Sequence, residues 1–190
     1  LVISVFLISV VVLKDSLSSG EGQKADIQQF FNTTERIWTA NTTAHANMLC
    51  KVDVIYNTTQ NSTLFIRLHL TDGIWRHEII EGQFTKWNRT SEGPYDKMKM
   101  RKGGKASGYE VILYQSEDNK CAVFFVLTHN GFAILASYEI RLKESALKSK
   151  DHEECLKKFR HLAGRRTIQR VYFDNCENVL GQNGYRIRSL

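Results

Sequence analysis

Proline is nearly absent from this sequence, with one in 190 residues, so the chain has few of the rigid linkers that join separate units. Chemical motifs are missing too. There is no Gly-x-Ser-x-Gly elbow and no His-Glu-x-x-His, and the six histidines, at 45, 69, 77, 129, 152 and 161, show no metal spacing. No Cys-x-x-Cys pair occurs, which argues against zinc-ribbon and thioredoxin-type sites. What remains is a binding protein rather than an enzyme, with no cofactor and no metal. A 42% hydrophobic content supports one sizeable core, hence one domain.

Residues 1–13 form an apolar run interrupted only by serine, followed by the small residues Ser18, Ser19 and Gly20. The run is too short to span a bilayer, which takes about 20 apolar residues, and residues 1–20 read as a signal peptide. The chain starts at Leu1 without Met, so a basic segment is expected to precede it. Residues 21–190 are then a secreted, extracellular single domain. Five Asn-x-Ser/Thr sequons, at Asn32, Asn41, Asn57, Asn61 and Asn88, fit that location, and each is expected on exposed surface. Four cysteines, Cys50, Cys121, Cys155 and Cys176, form an even set in an oxidising compartment. Two disulfides follow, in any of three connectivities.

The net charge of +6 is uneven: from Arg141 onward there are 12 Lys/Arg against 6 Asp/Glu. Aromatics are sparse there, so the excess reads as a solvated helix face and a basic C-terminal tail rather than a nucleic-acid surface. A weak attraction to anionic cell-surface polymers is compatible with it.

Residues 26–31 form a helical turn with Asp26 as N-cap. Runs rich in Val, Ile, Phe, Tyr and Trp then recur at 50–56, 63–70, 74–87, 95–100, 106–115, 121–128 and 132–140, separated by turn residues. Asn130-Gly131 between two apolar runs is a hairpin signal. Seven or eight short antiparallel strands indicate a sandwich or an up-and-down barrel. At 151–163 the period becomes helical, with Cys155, Leu156, Phe159, Leu162 and Ala163 on one face. Asp151 and Glu154 have capping-box spacing, and Gly164 supplies the stop. Strands, then one amphipathic helix, then an extended piece at 168–173 is the order of a lipocalin: all-β with one C-terminal helix, an eight-stranded antiparallel up-and-down barrel.

The stretches Cys155-Leu156-Lys157-Lys158-Phe159 and Ala163-Gly164-Arg165, ending at Cys176, resemble the C-terminal signature of the tick salivary lipocalins, the group that includes the histamine-binding proteins. Glu110-Val111-Ile112-Leu113-Tyr114, followed by a Ser/Asp/Asn turn and Cys121, is similar to the same family's sixth and seventh strands. Cys50 opening an apolar strand completes a resemblance that covers 37–176. It implies the pairings Cys50–Cys176 and Cys121–Cys155. With the helix outside the barrel, Cys121 must face it. Val123, Phe125 and Leu127 then point outward, and Ala122, Phe124 and Val126 point inward.

The resemblance also bears on the ligand. A histamine scavenger needs carboxylates inside the barrel, but positions corresponding to family acids hold Asn41, Ala122 and Ala133. Two family indoles are replaced by Ala44 and Leu135, and Trp38 stands near a family aromatic. Glu78 and Glu110 match acidic positions, with pairing to Arg or Tyr as their structural alternative. The lumen is therefore expected to be mostly apolar. Its ligand would be apolar or amphipathic (a sterol such as cholesterol, a fatty acid or an eicosanoid), with histamine as the alternative. Candidate ligand contacts are Trp38, Glu78, Glu110, Ile112, Tyr114, Phe124, Val126 and Leu135. Suppression of host immune or inflammatory responses is the implied role, as in the cholesterol-holding, japanin-like branch. An outer surface gripping a host immune cell is a further alternative. No nucleic acid, no membrane span and a monomer complete the expectation.

Overall fold

The structure, a computed structural model, describes residues 24–45, 47–129, 133–149 and 151–182. The apolar leader at 1–20 and the Asn130-Gly131 tip lie outside the described residues. Helix α1 (Ile27–Phe31) leads into β1 (Ile37–Thr42), β2 (Leu49–Thr58), β3 (Ser62–Thr71), β4 (Ile74–Thr85), β5 (Lys97–Lys102), β6 (Lys105–Gln115), β7 (Cys121–His129) and β8 (Ile134–Lys143). Helix α2 (Glu153–Ala163), the short strand β9 (Gln169–Arg170) and α3 (Cys176–Gln182) follow. Strands β2 to β8 pair antiparallel in chain order, and β1 closes the circle by pairing with both β8 and β2. This is the eight-stranded up-and-down barrel of the lipocalin fold. Strand β1 adds to the seven runs visible in the sequence, because its Ile-Trp-Thr-Ala-Asn-Thr stretch is too mixed to signal a strand.

One end is shut by α1. Asp26 caps it, accepting from the Gln29 amide at 3.1 Å, and the Asp26 amide donates to Gln115 Oε1 at 2.7 Å. Ile27, Phe30 and Phe31 are fully buried, each stabilising by about 1.5–3 kcal/mol. Phe30 meets Phe124 at 5.5 Å between ring centres, and Phe31 meets Phe65 at 5.4 Å. Ile80, Phe84, Met98, Met100, Ile112 and Val126 complete this apolar floor. Gly82 belongs to it by what it lacks, because a Cβ there would sit 2.3 Å from Met98 Sδ.

Both disulfides join the expected partners, with Cα separations of 5.3 Å for Cys50–Cys176 and 6.3 Å for Cys121–Cys155. The second pins α2 on the outside of the barrel, where Cys155 and Phe159 pack on Val123, Ile140 and Leu142. The capping box expected at Asp151 does not form. The N-cap is His152, without a side-chain bond, because Asp151 is engaged in a local turn, accepting from Ser149 Oγ at 2.6 Å. Gly164, at φ +59°, ends the helix. Helix α3 packs its Cys176 and Leu180 on Trp38, Val52 and Leu68. Elements therefore cover two stretches of the barrel's outer wall, and strands there are buried on both faces.

Candidate ligand-binding site

Covering the outer wall changes which way an alternating strand must face. In β8, Tyr138, Ile140 and Leu142 alternate with Ser137, Glu139, Arg141 and Lys143. On an ordinary half-exposed sheet the polar set would look outward. Here α2 lies on the apolar set, so the polar set enters the lumen. Strand β2 repeats the pattern, with Val52 turned to the C-terminal cluster and the buried Lys51 and Asp53 turned inward.

These residues meet Arg67 from β3 and Glu110 from β6 in one ionic layer across the middle of the barrel. Arg141 donates two 2.7 Å bonds to the Glu110 carboxylate, and its Nη2 reaches Glu139 at 2.6 Å. Lys51 Nζ donates to the other Glu139 oxygen at 2.6 Å. Arg67 grips Asp53 through two 2.7 Å bonds and lies 3.0 Å from Glu110. Three cations face three carboxylates, every one of them buried. The two guanidinium groups rest on floor rings, Arg141 over Phe124 at 4.5 Å and Arg67 over Phe65 at 5.3 Å.

The layer's pKa values follow from its geometry. Burial alone would raise both glutamates, but Arg141 and Arg67 hold Glu110 far below the ordinary carboxylate range, and Lys51 and Arg141 bring Glu139 to about 2. Lys51 is shifted down because burial outweighs Glu139. A closed set of this kind is costly to open, since removing one member leaves a buried charge without its partner.

Beyond the ionic layer, away from α1, the barrel opens. A cleft of about 480 Å³ is lined by His69, Trp75, Arg76, His77, Glu78 and Lys102, a volume within the ~300–1,000 Å³ range of small-molecule sites. Lys102 pairs with Glu78. His69 Nδ1 is buried without a hydrogen-bond partner, and burial, ahead of the opposing pull of Glu78, lowers its pKa. Leu135 is 55% exposed and opposes Thr128 on the lumen-facing alternation at this end.

The residues expected as ligand contacts thus separate. Glu78 and Leu135 sit at the open end, Glu110 is locked in the ionic layer by Arg141, and Val126, Ile112 and Phe124 belong to the packed floor. Tyr114 and Trp38 are corrections. A bulge after Ile112 flips the β6 alternation, so Tyr114 opposes the outward Val123 and packs against the helix cluster. Trp38 lies on the outer wall, edge to face with Tyr172 at 5.2 Å, because its register partners Val52 and Leu142 both face outward. The mostly apolar lumen is corrected as well: only the floor is apolar. Lys51, Asp53, Arg67, Glu139 and Arg141 were missed. The signal was present, since carrying the outward orientation of Cys121 and Val123 across to Leu142 and Ile140 turns Glu139 and Arg141 inward.

Among the sequons, Asn32, Asn57, Asn61 and Asn88 are exposed, whereas Asn41 is half-buried in β1 between β8 and β9. Among the described residues, no helix is long and apolar enough to cross a membrane.

A family profile described as tick histamine binding protein matches residues 21–178. No curated protein matches the chain. Among solved structures, a serotonin complex of the protein AM182 is 20% identical and superposes with a TM-score of 0.60, covering 82% of this chain and 94% of that one. The siderocalin Ex-FABP, with dual ligand specificities, is 10% identical with a TM-score of 0.56, covering 74% of this chain and 94% of that one. Lobster apocrustacyanin A1 is 12% identical with a TM-score of 0.53, covering 78% and 80%. At these identities the likeness is one of fold.

Proposed function

We propose, from the premise that the chain belongs to the tick histamine-binding protein family, that it is a secreted barrel sequestering a small amphipathic ligand whose anionic head lies at the open end. Sequestration of a small ligand follows from the family; the class of ligand is argued from the interior. The carrying observation is the charge balance of the ionic layer, where each of three carboxylates already has a cation. An ammonium entering that layer would have to displace an arginine or lysine that is better held. A neutral sterol would desolvate these groups and return no hydrogen bonds. At the mouth, by contrast, Arg76 and Lys102 outnumber Glu78, and His69 Nδ1 is available to a head group. A fatty acid or eicosanoid carboxylate fits this set, with Leu135 offering apolar wall to its chain. Lowering the concentration of such a lipid would suppress a host inflammatory response.

Calorimetric titration with oleate, oleyl alcohol and histamine tests the reading. Heat is expected from oleate and not from the alcohol, which keeps the tail and loses the charge. Arg76→Ala with Lys102→Ala should weaken oleate binding at least about tenfold. Equal heats from acid and alcohol would remove the head-group role.

A biogenic amine is the second reading. Its supporting observation is Glu78, which is half-buried and whose partner Lys102 has a side chain 53% exposed, so that an amine could take the place of the lysine. Histamine heat without oleate heat would favour it.

A further inference from the structure

Strand β5 carries Lys97, Lys99 and Arg101 on its outer face, while Met98 and Met100 point into the floor. Side chains two apart on a strand stand about 7 Å from one another, so these three cations form a straight row. Arg89, in the preceding loop, lies near its start: the pKa of Lys97 is lowered chiefly by burial, with Lys99 and Arg89 adding to the shift and Asp96 opposing it. The row's cross-strand neighbours are Thr85 and Val111 beside Lys97, Gln83 and Tyr109 beside Lys99, and Glu81 and Ala106 beside Arg101. Glu81 is the one acid among them, and none of the four cations makes an ion pair within 4.0 Å among the described residues. Asp96, beside Lys97, is a second acid near the row, but four cations against two acids leave an excess of like charge that repels itself and attracts an anion able to touch several at once.

Aromatic rings border the row. Lys97 Nζ sits 4.7 Å from the Trp87 ring centre and 4.3 Å from that of Tyr109, and Trp87 is 55% exposed. Trp87 and Tyr109 are tilted by 56° to each other, so they do not offer the parallel platforms on which successive nucleobases stack. A row of point charges on a convex wall, edged by one exposed indole, suits a stiff chain with regularly spaced anionic groups and sugar faces.

We propose that the outer face of β5 is a docking strip for a linear sulfated polysaccharide. It would hold the barrel at a cell surface or matrix while the lumen stays open to its ligand. The basic excess that the sequence places after Arg141 is not the source of this strip, since all four cations precede it.

The test is binding of the full chain to a heparin oligosaccharide at about 0.15 M salt, where attraction between charges beyond ~8 Å is screened. Lys99→Glu with Arg101→Glu is expected to weaken binding at least about tenfold, whereas Lys157→Glu with Lys158→Glu, the same charge change on α2, should shift it less than about threefold. Unchanged thermal stability of the first variant separates loss of docking from loss of fold. Equal losses in the two variants would overturn the strip in favour of diffuse charge. So would undetectable binding by the unaltered chain, undiminished binding to a desulfated oligosaccharide, or tighter binding to single-stranded DNA of equal charge.

Discussion

Lys51, Arg67 and Arg141 inside the barrel and Lys97, Lys99 and Arg101 outside it are the same chemistry under opposite conditions. Inside, water is excluded, and a cation persists only because a carboxylate is bonded to it. Outside, water hydrates the charge, and a cation can stand beside another cation without an acid bonded to it. The inner set is therefore committed to the structure, and the outer set is free to act on other molecules. Partnering, more than charge, distinguishes a residue that holds a fold from one that recognises a ligand.

That contrast can be broken most severely at Arg141. Arg141→Met removes the cation that Glu110 and Glu139 share, leaving each buried carboxylate with one ion-pair partner, Arg67 or Lys51, and the expected cost is about 3–5 kcal/mol, read from urea unfolding. Next in size is the crosslink that keeps α2 over the outer wall. Cys121→Ser with Cys155→Ser opens a 34-residue separation and should cost about 3–4 kcal/mol by loop entropy, with the helix losing hydrogen-exchange protection before the barrel does.

Acid provides a comparable but reversible perturbation. Glu139 titrates at about 2 in the fold against an ordinary 4.5. Its contribution, roughly 3 kcal/mol for a shift of that size, is present in full above pH 4.5. It is lost as the pH falls toward 2, because the unfolded chain takes up the proton first. Urea midpoints measured down that range should fall, and Glu139→Gln should flatten the slope. The smallest effect belongs to the outer row: Lys99→Met should change stability by less than about 0.5 kcal/mol in the same denaturation assay.

The fold was largely legible because its signals are local and redundant. Alternating runs, the helical period around Phe159, Gly164 as a stop and the cysteine spacing all pointed to one barrel with an outer helix. The site was less legible, and for one physical reason: alternation gives two faces but not which of them is inside. Arg141 was counted with the basic tail because a polar face on a strand ordinarily looks to water, and only the covering helix reverses it. Tyr114 was lost to a bulge, whose extra residue at Leu113 has no signature in a run of apolar side chains. Trp38 was drawn inward by likeness to a family aromatic, although its strand neighbours Val52 and Leu142 face the other way. The row on β5 is hard to see in the sequence because two lysines and an arginine separated by methionines resemble an ordinary wet strand until the neighbours across the ladder are known.

Closure of the barrel by β1 has a consequence for association between molecules. Each of the eight barrel strands has a hydrogen-bonded neighbour on both sides, and the sheet's edge strand among the described residues is the two-residue β9, which offers a second molecule little to extend. Polymerisation by strand addition, the usual hazard of a long exposed sheet edge, is left with little template.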